Sequence, residues 1–350
     1  MMPHFHIAIS QRTFHYRQPA MTSRGVYTER LSFYVTLTDP ADETHRGVGE
    51  CATLPDLSCD AMPPEQYEAQ LRMFCGQLAA TGEIPVDAMR PFPSMLFGLE
   101  SALAQYHSGD GFTLYDTAFS RGETGLPING LVWMGSYDEM FARLEEKLRQ
   151  GFGCVKLKIG AIDFDRELSL IKHIRQRYSP DIIELRVDAN GGFSPQCALD
   201  RLKALAPYHI HSIEQPIRQH QWQQMAQLCQ ESPLPIALDE ELIGVNALDE
   251  KRRLLDTIRP QYIVLKPSLH GGISGTREWI TLASERGIGS WITSALESNV
   301  GLNAIAQLAA QVYGSEPAMA QGLGTGQLFT DNVPMPLQIK NDRLWIMQHS

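Results

Sequence analysis

The sequence predicts an α/β fold, a closed (β/α)8 barrel preceded by an α+β region of about 120 residues. Three observations predict it. From Leu126 onward, short apolar runs alternate with amphipathic stretches, the pattern of a parallel sheet with helices outside it. Eight such runs are enough to close a ring. No glycine-rich phosphate loop follows the first of them, which sets aside the competing open doubly wound sheet. The length of 350 residues suits two domains, or one large barrel with an attachment.

Taken in order, residues 4–10 and 31–38 read as strands by alternation and β-rich content. The polar stretch 17–30, with Pro19, Ser23, Arg24 and Gly25, reads as a loop. Residues 46–60 read as a short strand followed by a second loop. Pro63–Leu78 and Pro93–Tyr106 read as helices, the latter with Met95, Leu96, Leu99 and Leu103 on one face. The barrel strands are expected at Pro127–Trp133, Cys154–Ile159, Glu184–Ala189, His211–Glu214, Ile236–Asp239, Tyr262–Lys266, Ser290–Ala295 and Met319–Gly322. Seven helical stretches lie between them, from Tyr137–Gln150 to Gly301–Val312. The expected division is a cap over 1–122, a barrel over 123–324, and a segment over 325–350 that returns to the N-terminal region.

Composition narrows the function. The chain is 43% hydrophobic, and its formal net charge of −10 with scattered basic residues argues against a nucleic-acid partner. No apolar run reaches the ~20 residues of a membrane helix, and no signal peptide is visible, so a reducing cytoplasm is expected. The six cysteines show no CxxC pair and read as free thiols in mostly apolar surroundings. Oligomeric state, with a homo-oligomer possible, is not legible.

The informative stretch is Cys154-Val155-Lys156-Leu157-Lys158-Ile159. Alternation along a strand puts Lys156 and Lys158 on one face and the apolar residues on the other. Two buried ammonium groups are costly unless something compensates or uses them. The ends of the following strands carry Asp188, Glu214, Asp239 and Lys266, at spacings of 30, 26, 25 and 27 residues from Lys158 onward. Each spacing is one βα unit, so all five side chains converge on one mouth of the barrel, where barrel active sites are built. A lone carboxylate at a strand end is ordinarily a helix cap, and a lone strand lysine a snorkelling surface residue. Five in register are not explained that way. Three carboxylates on adjacent strands call for a hard divalent cation, Mg²⁺ or Mn²⁺, with positions left for a substrate carboxylate. A lysine beside a cation and another lysine loses its proton more readily and can act as a base, and Lys156 is that neighbour for Lys158.

Lys156-Leu157-Lys158, Asp188-Ala189-Asn190, Glu214-Gln215-Pro216, Asp239-Glu240 and Lys266-Pro267 resemble the enolase superfamily, in its muconate-cycloisomerase-like branch. Within the branch the likeness is to the o-succinylbenzoate synthase family, carried by Ser294–Leu302 and by Gly322-Leu323-Gly324-Thr325-Gly326. The resemblance implies an α/β barrel (a modified TIM barrel of (β/α)7β-like form) with an α+β capping domain formed from both termini, and Mg²⁺ held by Asp188, Glu214 and Asp239. It implies Lys158 as the base that takes the proton α to a carboxylate, and as the acid that assists loss of a hydroxyl on the same face. Lys266 would stay charged opposite, and Lys156 would tune its neighbour. It implies a small-molecule carboxylate substrate, contacted by Asn190, Ser294, Ser298, Gly301 and Leu302, with the amides at the start of the last barrel helix suited to a carboxylate. Arg24 could reach a substrate carboxylate; an exposed loop arginine is the plainer reading. Two rivals stand beside this: an N-acylamino acid racemase or dipeptide epimerase using both lysines, and a barrel that binds a ligand without catalysis. The acid-free Gly322–Gly326 stretch counts against a dipeptide epimerase, whose ammonium-holding acids would lie there.

Overall fold

The computed structural model describes residues 4–22, 25–109, 111–133, 135–160 and 163–347. Strands β1 (His6–Thr22) and β2 (Gly25–Thr38) form a long antiparallel hairpin, and β3 (Arg46–Cys51) pairs with β2 on its other side. The stretch 17–30, expected as a loop, is therefore mostly strand. Its polarity is that of an exposed strand face: Arg17, Gln18, Thr28 and Glu29 are exposed while Tyr16, Ala20 and Arg30 are buried. Pro19 falls in the register shift between His15 and Ala20, where a missing N–H breaks no ladder bond.

Helices α1 (Pro64–Thr81), α2 (Val86–Met89) and α3 (Pro93–Ser108) accompany this sheet. Leu71, Phe74, Leu78, Leu96 and Leu99 pack with Phe33, Val35 and Leu37 into one core. Strand β3 approaches α3 closely because Gly49 and Gly98 lack side chains; a Cβ on Gly49 would overlap the Gly98 carbonyl.

The barrel follows as β4 (Leu126–Pro127), β5 (Gly130–Val132), α4 (Tyr137–Arg149), β6 (Cys154–Lys158), α5 (Phe164–Arg177), β7 (Glu184–Asp188) and α6 (Pro195–Leu205). It continues as β8 (Ser212–Glu214), α7 (Trp222–Glu231), β9 (Ile236–Leu238), α8 (Leu248–Ile258), β10 (Tyr262–Leu265), α9 (Gly272–Ser284), β11 (Gly289–Ile292) and α10 (Asn299–Tyr313). Strands β5 to β11 form a parallel sheet in sequence order. The expected eighth strand at 319–322 is reduced to two bridges, Gln321 to Ile128 and Gly322 to Thr293, which join the sheet's two edges. The Gln321 side chain helps to make this seam, accepting the Ile292 N–H at 2.8 Å.

Val155, Leu157 and Ile159 are buried in the layer between barrel and helices, with Leu144, Leu170, Ile171 and Leu202. Inside the barrel, the Arg186 guanidinium lies 4.5 Å over the Trp291 ring. Strand β12 (Leu337–Lys340) pairs with β13 (Arg343–Ile346), which in turn pairs with β4. The return towards the N-terminal region is made earlier: Arg17 donates to the Leu328 carbonyl, and Thr330 donates to that of His15. Among the described residues no helix is long and apolar enough to cross a membrane. All six cysteines are free; Cys51, Cys75 and Cys154 are buried and Cys59 is exposed.

Candidate active site

The parallel ladder sets the site. Register pairs Lys158 with Asp188 and Asp188 with Glu214, so three of the charged residues stand at one level. Asp239 and Lys266 follow the last residues of β9 and β10, the next two strands around the ring. One cavity is lined by Lys156, Lys158, Asn190, Glu240 and Lys266, with Tyr27, Leu54 and Leu57 reaching over it from the N-terminal part of the chain. Trp133, Leu131, Asn129, Thr293–Leu296 and Thr325 complete its wall. The expected convergence of these residues is present.

The ion pairs are specific. Lys156 Nζ lies 2.9 Å from Glu214 and 3.3 Å from Asp188. Lys158 Nζ lies 2.8 Å from Asp188 and donates to Asn190 Oδ1 at 2.7 Å. Lys266 Nζ is paired with Asp239. Asn190 Nδ2 donates to Glu240 at 2.9 Å, so Asn190 ties Lys158 to the next carboxylate. Burial works to strip the proton from Lys156, but Glu214 and Asp188 beside it prevail and hold its pKa above the ordinary lysine value. Lys266 behaves likewise: burial is outweighed by Asp239 and Glu240, and its pKa is raised. Burial raises the Asp188 carboxyl, yet Lys158 and Lys156 overcome it and the net shift is downward. Glu214 is pushed up to about 8 by burial and by Asp188, against the pull of Lys156. Asp239 is also raised, chiefly by burial, with Lys266 opposing.

Charge and hydrogen bonding bear on a cation. Four carboxyl groups, on Asp188, Glu214, Asp239 and Glu240, face three lysines, Lys156, Lys158 and Lys266. Glu214 Oε1, Asp239 Oδ1 and Glu240 Oε2 are buried oxygens that receive no hydrogen bond. Such atoms are costly unless a cation or donor meets them. With the lysine ammonium groups standing among them, no three candidate ligands gather at ligating spacing among the described residues. The donor set is all oxygen, with uncommitted carboxylate oxygens on three of its members, and it suits a hard divalent ion.

The supporting residues were less visible in the sequence. His270 Nδ1 accepts the Lys266 backbone N–H at 2.9 Å, and the ring's pKa is pushed far down by burial and by Lys266, so it stands neutral. Gln215 Oε1 accepts from the backbone of both Asp239 and Glu241 at 3.2 Å, fixing the turn that presents Asp239. Glu240 and Gln215 had a signal, adjacency to the Asp239 and Glu214 motifs. His270 and Trp133 had none.

The expected substrate contacts divide. Asn190 and Ser294 line the cavity, though the Ser294 hydroxyl is bonded to Glu297 at 2.7 Å. Ser298, Gly301 and Leu302 do not line it. The amides of Ser298 and Gly301 are taken by the Glu50 carboxylate at 3.0 and 2.9 Å, and Leu302 is buried in the core. Arg24 lies outside the described residues.

A barrel with lysines facing a carboxylate cluster across one mouth defines a class of acid–base enzymes, and comparison places the chain within it. The family described as Enolase C-terminal domain-like matches residues 139–349. The chain belongs to the enolase superfamily. It is 47% identical to the o-succinylbenzoate synthase of Desulfotalea psychrophila, over 95% of this chain and 96% of that protein. The crystal structure of MenC from Desulfotalea psychrophila LSv54 superposes with a TM-score of 0.83 at 42% identity, covering 98% of this chain and 99% of that one. The L-Ala-D/L-Glu epimerase of Bacillus subtilis is 29% identical over 57% of this chain and 54% of its own length.

Proposed function

We propose that this enzyme is an o-succinylbenzoate synthase, a dehydratase that converts 2-succinyl-6-hydroxy-2,4-cyclohexadiene-1-carboxylate to 2-succinylbenzoate by syn loss of water. The observation that carries this reading is the single cavity bounded by Lys158 and Lys266, on strands separated by the three that carry Asp188, Glu214 and Asp239. The identity of 47% to a synthase, against 29% to an epimerase, favours dehydration over racemisation.

In this reading Lys158 Nζ takes the proton α to the ring carboxylate. The same group, now an ammonium, gives that proton to the hydroxyl on the same face; the C–O bond breaks and water leaves as the ring becomes aromatic. Asp188 and Asn190 aim the Lys158 side chain at the cavity. Lys266, kept charged by Asp239 and Glu240, stabilises negative charge from the opposite side. Lys156 stays an ammonium and neutralises Glu214 and Asp188 from beneath. Asp188, Glu214 and Asp239 would hold Mg²⁺, with Mn²⁺ as a substitute. Bound there, the ion would supply Lewis-acid stabilisation of the charge developing on the substrate carboxylate. Leu54, Leu57, Trp133 and Leu131 form an apolar wall against the ring and exclude water. The proposal includes the reaction's place in menaquinone biosynthesis, a cytoplasmic setting, and the division into cap 1–122, barrel 123–324 and returning segment 325–350.

The test is an ultraviolet assay for 2-succinylbenzoate with purified protein and Mg²⁺, run beside a racemase assay on N-succinyl amino acids. Aromatic product at enzymatic rates is expected. Racemisation without any dehydration would overturn the assignment.

A further inference from the structure

The segment Ser294–Gly301 joins the end of β11 to α10, and its first residues line the cavity. Leu296, in the cavity wall, has a φ of 66°, a left-handed conformation that a non-glycine side chain adopts under constraint. Several of its constraints come from the N-terminal sheet. Arg30 on β2 is buried; one arm of its guanidinium binds the Ala295 carbonyl and the other donates to the Ala52 carbonyl at 3.1 Å. Glu50 on β3 is 1% exposed and accepts four hydrogen bonds. These come from Ser32 Oγ at 2.7 Å, Ser298 N at 3.0 Å, Ser298 Oγ at 2.6 Å and Gly301 N at 2.9 Å. Tyr34 adds a fifth link, donating to Ser298 Oγ at 2.8 Å. Position 301 fits only as glycine, because a Cβ there would crowd both Glu297 and Glu50 Oε2. From below, Glu297 accepts from Ser268, Ser294 and the Ala295 amide.

We propose that Glu50 is a positioning residue: its carboxylate, supplied by the N-terminal sheet, occupies the amide groups at the start of α10 and holds Ser294–Gly301 in the shape that forms the cavity wall. The helix start presents free amide N–H groups, and the internal Glu50 carboxyl oxygens accept two of them. The substrate's second carboxylate is then received elsewhere in the cavity. Sheet and barrel are locked where the substrate lies, so the geometry of the pocket depends on the seating of β2 and β3.

The test compares the wild type with Glu50→Gln, Glu50→Asp and Arg90→Gln. Arg90 makes a separate contact with the barrel, bidentate to Glu278 and remote from the cavity lining, so it controls for loosened docking alone. Hydrogen exchange of peptides covering 294–302 reads the clamp without any substrate. Glu50→Gln is expected to speed that exchange, and Arg90→Gln to leave it unchanged. The kinetic half rests on the reaction proposed above: Glu50→Gln is expected to raise KM by about tenfold or more, the scale of one lost hydrogen bond to a charged group. Glu50→Asp is expected to lie between it and the wild type. Wild-type exchange in Glu50→Gln overturns the proposal, as does a KM change no larger than that of Arg90→Gln. Should Glu50→Gln fail to fold, Glu50→Asp carries the same comparisons. A wild type that makes no 2-succinylbenzoate would sink the reaction, and the exchange comparison would still decide the clamp.

Discussion

Replacing each of the two cavity lysines by alanine separates chemistry from stability. In Lys158→Ala, Asp188 loses the Lys158 Nζ contact at 2.8 Å but keeps Lys156 at 3.3 Å and the Asn190 N–H at 3.0 Å. The loss is that of one charge-assisted contact among several, about 1–2 kcal/mol of stability. In Lys266→Ala, Asp239, with no exposed surface, loses the lysine it is ion-paired with. Breaking a buried pair from one side costs about 3–5 kcal/mol. Catalysis should follow a different order. One residue serving as both base and acid accounts for about 10⁴-fold in rate or more, at the upper end for proton transfer by a positioned side chain. Lys158→Ala should therefore fold nearly as well as the wild type and form no measurable 2-succinylbenzoate, while Lys266→Ala should melt distinctly lower. Urea unfolding followed by circular dichroism, together with the ultraviolet assay, reads both. Turnover by Lys158→Ala within about tenfold of the wild type would remove it as the base, since even the low end of such proton-transfer contributions is larger. Equal destabilisation of the two variants would refute the assignment of Asp239 to Lys266 alone.

Three further outcomes are expected. Asp188→Asn should abolish the increase in melting temperature that Mg²⁺ gives the wild type, and a retained increase would move the cation away from Asp188. Glu100 is half-buried and raised to about 7 by desolvation, although Ser274 and the Ile273 amide work against it. A carboxyl raised in the folded state contributes stability that is present below its unfolded value, is lost as pH climbs through about 7, and stays lost above it; the span is on the order of 3 kcal/mol. Glu100→Gln should flatten the pH dependence of urea stability between about pH 4.5 and 7, and an unchanged slope there would exclude Glu100 as its source. Gly49→Ala should destabilise by about 1–3 kcal/mol or more, because its methyl would overlap the Gly98 backbone, and a neutral result in thermal unfolding would show that α3 can shift away.

The catalytic pattern is local in a way that makes it legible. A βα unit has a narrow range of lengths, so charged residues recurring every 25 to 30 positions must stand at one level of a parallel ladder; Lys158, Asp188 and Glu214 do. Strand alternation likewise separates Lys156 and Lys158 from Val155, Leu157 and Ile159 before any contact is known. The stretch 17–30 hides its strand because one wet face and a proline at a register shift give it the composition of a loop. The eighth run is strand-like in composition yet forms no full strand, since its closing hydrogen bonds come partly from the Gln321 side chain.

What tertiary structure alone decided is which of these groups are already engaged. The amides at the start of α10 look available for a ligand in the sequence, and only the fold brings Glu50, 248 positions away from Ser298, to take them. It likewise sets Tyr27, Leu54 and Leu57 over the lysines. A pairing between residues so far apart is settled by how β3 docks against the barrel and leaves no period or motif in the chain. The ladder repeat that aligns the charges, in contrast, is written into each consecutive βα unit.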